Sequence, residues 1–182
     1  MSNSPKTALF LDRDGVLNRR LPNDYIKYLS EWHWEEKVLE ALAIAAQHFS
    51  PIVVLTNQQG IGKQLMTAND LQQIHQHLCT EAQKNGGRID AIYHCPHLAT
   101  DICSCRKPEI GMVQQAQKDF PFIDLSTAIM VGDSVSDMVM AERAGMKSVY
   151  VHNNDPIPSQ LLSSSNTSFF AKLFDFMQFF IQ

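Results

Sequence analysis

Short apolar runs alternate with stretches of helical spacing along most of this 182-residue chain. A run of four to eight apolar residues is typical of a buried strand, and apolar residues every three or four positions indicate a helix. Strands that alternate with helices form βαβ units, which gives an α/β protein with a mostly parallel sheet. The predicted strands are 8–11, 51–55, 89–93, 128–131 and 147–151, and the predicted helices are 38–49, 67–84, 111–120 and 136–144.

Four of the predicted strands end in residues that can do chemistry. Asp12 and Asp14 follow the first strand, and Thr56 and Asn57 follow the second. The third runs into a segment of cysteines and histidines, and Asp133 follows the fourth. Since the carboxyl ends of parallel strands lie at one edge of a sheet, where open α/β sheets bind ligands, we expect these residues to share one pocket.

The turn after the first strand, Asp12-Arg13-Asp14-Gly15, brings two carboxylates together. Like charges this close are costly unless a cation neutralises them or one of them is protonated. The turn therefore predicts a Mg²⁺ site, an acid/base pair, or both. Taken alone, the same four residues also fit a solvated acidic turn.

Three of the four cysteines fall within eleven residues, next to a histidine. Cys95-Pro96-His97 and Cys103-Ser104-Cys105 together offer three thiolates and an imidazole, the closed donor set of a structural zinc site. His94 is an alternative ligand beside Cys95. Because the protein would fill all four positions, we expect Zn²⁺ to hold the loop 95–105 in place and to take no part in catalysis.

The composition is that of a soluble protein with 45% apolar and 19% charged residues. Its net charge of −4 gives no attraction to nucleic acid or to a membrane, and no stretch is long and apolar enough to span a bilayer. Residues 1–7 are polar and lack the apolar stretch of a secretory signal. We expect a single domain over residues 1–182 that is cytoplasmic and monomeric.

Four segments stand in an informative order: Phe10-Leu11-Asp12-Arg13-Asp14-Gly15-Val16-Leu17, Leu55-Thr56-Asn57, Arg106-Lys107-Pro108 and Val131-Gly132-Asp133-Ser134-Val135-Ser136-Asp137. Together they resemble the four motifs of the haloacid dehalogenase superfamily of phosphohydrolases. The resemblance covers about residues 8–152. It implies a three-layer, Rossmann-like parallel sheet with helices on both faces and no large cap domain.

The resemblance also implies roles for individual residues. Asp12 would be the nucleophile that forms an aspartyl-phosphate, and Asp14 the general acid and base. Thr56 would donate a hydrogen bond to the phosphoryl group, and Lys107 would neutralise its charge. The Mg²⁺ ligands would be the side chains of Asp12 and Asp133 and the backbone carbonyl of Asp14, and Asp137 would lie behind them or act through water.

The loop 95–105, followed directly by Arg106-Lys107-Pro108, narrows the resemblance to two kinds of small-metabolite phosphatase. Thr56-Asn57-Gln58-Gln59-Gly60-Ile61-Gly62 favours D-glycero-D-manno-heptose 1,7-bisphosphate phosphatases, and the short gap between His97 and Cys103 favours histidinol-phosphate phosphatases. We expect the heptose bisphosphate to be the substrate, with histidinol phosphate or another small metabolite as the alternative. The predicted substrate contacts are Arg13, Asn57, Arg106 and Lys107, with Gln58 and Lys63 as further candidates on the loop after the second strand. Arg13, between the two acids, could instead be structural.

Two regions outside these motifs remain open to interpretation. Trp32 and Trp34 could stack on a substrate ring or pack in the core, and core packing is the favoured interpretation. Residues 163–168 read as a polar loop, and the phenylalanine-rich residues 169–181 as a C-terminal helix packed on the sheet.

Overall fold

The computed structural model describes residues 7–22 and 24–182 and contains one six-stranded parallel sheet. The prediction that residues 1–7 lack a secretory signal falls on a segment of which the structure describes only Thr7. The strands are β1 (Leu9–Leu11), β2 (Ile52–Asn57), β3 (Ala91–Cys95), β4 (Ile129–Gly132), β5 (Lys147–Val151) and β6 (Thr167–Phe170). The helices are α1 (Val38–His48), α2 (Gln59–Gly62), α3 (Ala68–Lys84), α4 (Gly111–Asp119), α5 (Val135–Arg143) and α6 (Leu173–Phe180).

Helices cover both faces of this sheet. Successive residues of a strand point to opposite faces, so neighbouring residues of β1 pack against different helices. Leu9 and Leu11 share a buried cluster with residues of α1, α3 and α6. Phe10, between them, belongs to a second cluster with residues of α4 and α5. The predicted three-layer α/β fold is confirmed, and the described residues contain no large cap domain.

The strand order, β3-β2-β1-β4-β5-β6, changes direction at β1. Leu9 is paired with Ile52 of β2 on one side and with Ile129 of β4 on the other. In doubly wound sheets the crevice at such a switch point is where ligands bind. The residues that follow β1 and β4 therefore face the preferred ligand site of this fold.

Two helices next to the site begin at well-defined caps. Thr67 accepts a hydrogen bond from the Asp70 backbone N–H and caps the start of α3. Ser134 caps α5 and exchanges hydrogen bonds with Asp137, whose carboxylate accepts from the Ser134 backbone and hydroxyl. This capping box fixes Asp137 directly behind the end of β4.

The C-terminal region differs from its sequence-based prediction. Residues 167–170 form a sixth strand that pairs in parallel with β5, and the helix begins only at Leu173. The prediction of a helix from residue 169 is therefore wrong at its start. The later part is confirmed: α6 buries Leu173, Phe176 and Met177 against α1 and the sheet. None of the described helices is long and apolar enough to cross a membrane.

Candidate active site

Asp12 and Lys107 form a buried ion pair at the carboxyl end of β1. The Lys107 ammonium lies 2.7 Å from Asp12 Oδ1 and 2.6 Å from Asp137 Oδ1, and it also donates to the Leu55 carbonyl at 3.0 Å. Burial disfavours the ammonium, but the two carboxylates outweigh burial and raise the pKa of Lys107. The lysine is thus held charged and aimed at the nucleophile candidate.

Asp12, Asp133 and Asp137, which we call the acidic cluster, offer oxygens that lie within 4.8 Å of one another. Burial raises the pKa of Asp12 to about 7, with Lys107 acting against the rise and Asp137 adding to it. Burial and the Asp12 charge likewise raise the pKa of Asp133 to about 8. Each rise comes first from burial of the carboxylate and then from the like charges beside it.

Gly15 allows this crowding. Its φ is +87°, and a Cβ built on it would lie 1.9 Å from Asp133 Oδ2. The turn after β1 therefore packs its backbone directly against the Asp133 carboxylate, which any side chain at position 15 would displace.

Asp14 is held from both carboxylate oxygens. Oδ1 accepts from Arg13 and Asn18, each at 2.9 Å, and Oδ2 accepts from Gln58 Nε2 at 2.9 Å. Burial opposes the charged form, but the Arg13 guanidinium and the hydrogen bonds hold the pKa of Asp14 below its usual range.

Arg13 is fully buried, and its guanidinium lies over the Trp32 ring at 5.9 Å from the centroid. A side chain without exposed surface does not reach a substrate, so we correct the prediction of Arg13 as a substrate contact: it supports Asp14. Trp32 is itself 7% exposed and packs edge-on against Trp34 within the core. This confirms core packing of Trp32.

A cavity of about 580 Å³ opens in front of these residues. Asp12, Asp14, Thr56, Asn57 and Lys107 line it, as expected for a shared pocket, whereas Asp133 lines a separate cavity that also includes Gly15 and Arg20. Lys63, a candidate substrate contact, also lines the cavity of about 580 Å³. The lining residues that the sequence did not predict are Arg20, Leu21, Asp24, Tyr25, Ser134 and Ser136. Only Ser134 and Ser136 carried a signal, since they stand beside Asp133 in its motif.

Two predicted substrate contacts have partners within the protein. The Asn57 side chain accepts from the Lys107 backbone N–H at 3.0 Å and donates to the Lys107 carbonyl at 3.3 Å, so it clamps the loop that carries the lysine. Arg106 donates to the His97 carbonyl at 3.3 Å, and it is not part of the cavity lining.

The loop 95–105 brings its four predicted ligands together. Cys95 Sγ lies 3.4 Å from His97 Nδ1 and 3.8 Å from Cys103 Sγ, and His97 Nδ1 lies 3.2 Å from Cys105 Sγ. Thiolates 2.3 Å from a tetrahedral Zn²⁺ would be about 3.8 Å apart, so the donor set fits this ion. The alternative ligand, His94, instead contacts His75, at 6.1 Å between ring centroids.

Residues 8–156 match the family model described as polynucleotide kinase 3 phosphatase. The D-glycero-alpha-D-manno-heptose-1,7-bisphosphate 7-phosphatase of Mycobacterium tuberculosis (strain ATCC 25618 / H37Rv) is 41% identical over 134 residues, which cover 74% of this chain and 70% of that protein. The D-glycero-beta-D-manno-heptose-1,7-bisphosphate 7-phosphatase of Neisseria meningitidis (strain MC58) is 33% identical over 180 residues, which cover 96% and 94%. The chain belongs to the phosphatase family that includes these heptose-1,7-bisphosphate 7-phosphatases.

The phosphatase family also has solved structures with this fold. D,D-heptose 1,7-bisphosphate phosphatase from B. bronchiseptica, complexed with magnesium and phosphate, superposes with a TM-score of 0.85 at 29% identity, over 97% of this chain and 98% of that one. The corresponding enzyme from Burkholderia thailandensis gives a TM-score of 0.69 at 26% identity, over 97% and 99%. These phosphatases place the chain in the haloacid dehalogenase superfamily, as its four motifs imply.

The acidic cluster fits the Mg²⁺ that this phosphatase family implies. Hard oxygen donors are the ligands that Mg²⁺ prefers, and Asp12 and Asp133 offer such oxygens within 4.8 Å of one another. A divalent cation there would favour the ionised forms of both groups, whose pKa values burial and the neighbouring carboxylates raise. Asp137 is fully buried and bonded to Lys107 and Ser134, so its oxygens are already engaged.

Proposed function

We propose that the protein hydrolyses the 7-phosphate of D-glycero-D-manno-heptose 1,7-bisphosphate, with Asp12 as the nucleophile. The observation that carries this proposal is the buried Asp12–Lys107 pair, 2.7 Å apart at the switch point of the sheet and open to the cavity. Relatives of 33–41% identity that are named for this reaction support the choice of substrate.

The chemistry runs in two steps on Asp12. Its carboxylate oxygen attacks phosphorus and forms an aspartyl-phosphate, while the bond from phosphorus to the sugar oxygen breaks and Asp14 gives a proton to that oxygen. Asp14 then takes a proton from the water that attacks phosphorus, which releases phosphate and restores Asp12. The lowered pKa of Asp14 favours release of the proton in the first step and leaves the ionised carboxylate that the second step needs.

The remaining groups of the cavity balance charge. Lys107 neutralises Asp12 and the transferring phosphoryl group, and the Thr56 hydroxyl donates to a phosphoryl oxygen. Asp12, Asp133 and the backbone carbonyl of Asp14 would hold Mg²⁺, which when bound offsets the repulsion between the carboxylate and the phosphate. Zn²⁺, held by the Cys/His set of the loop 95–105, would keep Lys107 at the position where it meets Asp12.

The second phosphate of a bisphosphate substrate needs cations at the cavity mouth. Lys63 and Arg20 line the cavity, and the Lys63 ammonium lies 5.2 Å from the centre of the Tyr25 ring. Asn57 and Arg106 stay proposals as substrate contacts, and both would have to release part of their present hydrogen bonding.

Polynucleotide 3′-phosphate is the second candidate substrate, because the matched family model carries that name. A nucleic-acid site needs a basic surface. The chain has a net charge of −4, and its cavity is lined by three aspartates beside three cations. A small phosphorylated metabolite, and no nucleic acid or membrane, is therefore the partner we propose for a cytoplasmic monomer, a state that light scattering tests.

The test is phosphate release with Mg²⁺ from heptose 1,7-bisphosphate, histidinol phosphate and a 3′-phosphorylated oligonucleotide, side by side. We expect kcat/KM to be highest for the heptose, assayed as both anomers. Asp12→Asn should lose several orders of magnitude in rate, while the exposed Glu40→Gln on α1 should keep the wild-type rate. Preference for histidinol phosphate, or oligonucleotide turnover that falls steeply with salt, would replace the proposed substrate.

A further inference from the structure

Gln58 occupies a buried position between two elements of the site. It follows β2 directly, and none of its surface is exposed. Its backbone N–H donates to the Cys95 carbonyl at 2.7 Å, which ties it to the end of β3. The backbone of Gln58 is therefore held in place, and its side chain extends from there toward the active site.

The Gln58 amide contacts two functional groups at once. Nε2 lies 2.9 Å from Asp14 Oδ2 and 2.8 Å from Thr56 Oγ1. An ionised carboxylate only accepts hydrogen bonds, so the NH₂ group must face Asp14. Both of its hydrogens are then used, one for each partner.

The contact with Gln58 sets the direction of the Thr56 hydroxyl. Because Thr56 Oγ1 accepts from the amide, its own hydrogen points away from Gln58. Thr56 is 1% exposed and lines the cavity, so that hydrogen is free for an acceptor there. An acceptor in place of the amide would instead draw the hydrogen away from the substrate.

The same contact fixes the tilt of the Asp14 carboxylate. Arg13 and Asn18 hold Oδ1 alone, and rotation about the bond to the carboxyl group would move Oδ2 if Gln58 were lost. Among the described residues, Gln58 is the single donor to Oδ2, and it is also the donor to Thr56.

We propose that Gln58 is a positioning residue that holds the acid/base carboxylate of Asp14 and the phosphate-binding hydroxyl of Thr56 in one fixed relation. The inference rests on the proposed phosphatase function and adds a residue that acts through these two groups without touching the substrate. A bound phosphoryl group would then meet a hydrogen-bond donor and a proton-transfer group that are already aligned.

The test compares Gln58→Met, of similar length but without a donor, with Gln58→Glu, of the same shape but with an acceptor toward Asp14. We expect kcat to fall roughly 10- to 100-fold in Gln58→Met and further in Gln58→Glu. The inhibition constant of inorganic phosphate should rise in both. Gln73→Met, on the exposed face of α3, is the matched control and should keep wild-type values.

A double-mutant cycle with Thr56→Val separates positioning from a loss of folded protein. If Gln58 acts through Thr56, then Gln58→Met costs less in the Thr56→Val background than in the wild type. The inference is overturned if the losses in kcat of the two single variants multiply fully in the double variant. It is also overturned if Gln58→Met keeps the wild-type kcat and phosphate binding. Thermal melting of each variant is measured alongside.

p-Nitrophenyl phosphate serves as a second substrate, so that the two proposals fail separately. If the wild type hydrolyses it but not the heptose bisphosphate, the proposed substrate is wrong and the Gln58 comparison still decides. If the heptose is hydrolysed and Gln58→Met matches the wild type, only the role of Gln58 is wrong. A wild type that hydrolyses neither ester overturns both.

Discussion

Three buried carboxylates meet one buried ammonium at the edge of the sheet. The acidic cluster and Lys107 come from four separate segments, after β1, within the loop that follows β3, after β4 and within α5. Sequence motifs predicted this meeting, because a parallel sheet brings all its carboxyl strand ends to one side. They did not predict the partners of Arg13, since an arginine between two aspartates carries no signal of burial.

Loss of Lys107 should lower the stability of the protein as well as its catalytic rate. Lys107→Met leaves Asp12 and Asp137 without the cation that both contact, and breaking a buried pair in this way costs about 3–5 kcal/mol. We expect the free energy of unfolding, measured by urea titration in a chelator, to fall by about that amount. Lys84→Met removes an exposed pair with Glu81 and should leave stability close to wild type; equal stability of the two variants would contradict this role for Lys107.

Arg20 should compete with a metal ion for Asp133. Its guanidinium lies 2.8 Å from Asp133 Oδ1, although half of the arginine side chain is exposed. Because a partly exposed pair is worth up to about 1 kcal/mol, Arg20→Gln should tighten Mg²⁺ binding to the substrate-free protein by roughly two- to fivefold in calorimetry. Arg143→Gln, which removes an exposed pair with Glu109, should leave the affinity unchanged. Weaker binding in Arg20→Gln would mean that the guanidinium supports the site.

At the scale of elements, the loop 95–105 lies between β3 and the segment that carries Lys107. Cys105 precedes Arg106 and Lys107 directly, and the Gly62 N–H donates to the Pro96 carbonyl at 3.0 Å. A rigid loop therefore holds the lysine on one side and α2 on the other. Sequence spacing predicted the four ligands because metal sites require a fixed donor set, whatever surrounds them.

Replacing one ligand should release the loop. We expect Cys103→Ser to lower the zinc content measured by elemental analysis, the thermal midpoint and kcat together, because the ligand set loses a thiolate and Lys107 loses its support. Cys79→Ser on α3, outside the ligand set, should keep one zinc per chain. Full activity of a zinc-free Cys103→Ser protein would show that the loop does not position Lys107.

The C-terminal elements show where local patterns stop being informative. Residues 167–170 carry two phenylalanines that fit a helical pattern as well as a strand, and only the pairing with β5 decides between them. Such a pairing is a tertiary contact, which a short sequence window does not contain.

Two phenylalanines of α6 offer a matched comparison. Phe176 is 4% exposed and belongs to the core cluster, whereas Phe179 is 66% exposed. Phe176→Ala should lower the free energy of unfolding by about 3–5 kcal/mol, and Phe179→Ala by less than about 0.5 kcal/mol. Equal losses in urea titrations would show that α6 packs differently.

At the scale of the whole molecule, the presence of five strands and their parallel direction followed from the alternation of patterns, whereas their order in the sheet did not. The edge strand β6 was not predicted, and neither was the packing of the chain between β1 and α1, because those segments lack a repeating pattern. That second segment supplies Arg20, Leu21, Asp24 and Tyr25, a side of the cavity that sequence reasoning missed. The chemistry of the site was therefore predictable, and the shape that selects a substrate was not.

The central claim, removal of the 7-phosphate by Asp12, is tested most directly by phosphorus NMR of heptose 1,7-bisphosphate during turnover with Mg²⁺. We expect the signal of the C7 phosphate to be replaced by inorganic phosphate while the C1 phosphate remains, and no change with Asp12→Asn. Loss of the C1 phosphate first, or equal turnover by Asp12→Asn, would contradict the account.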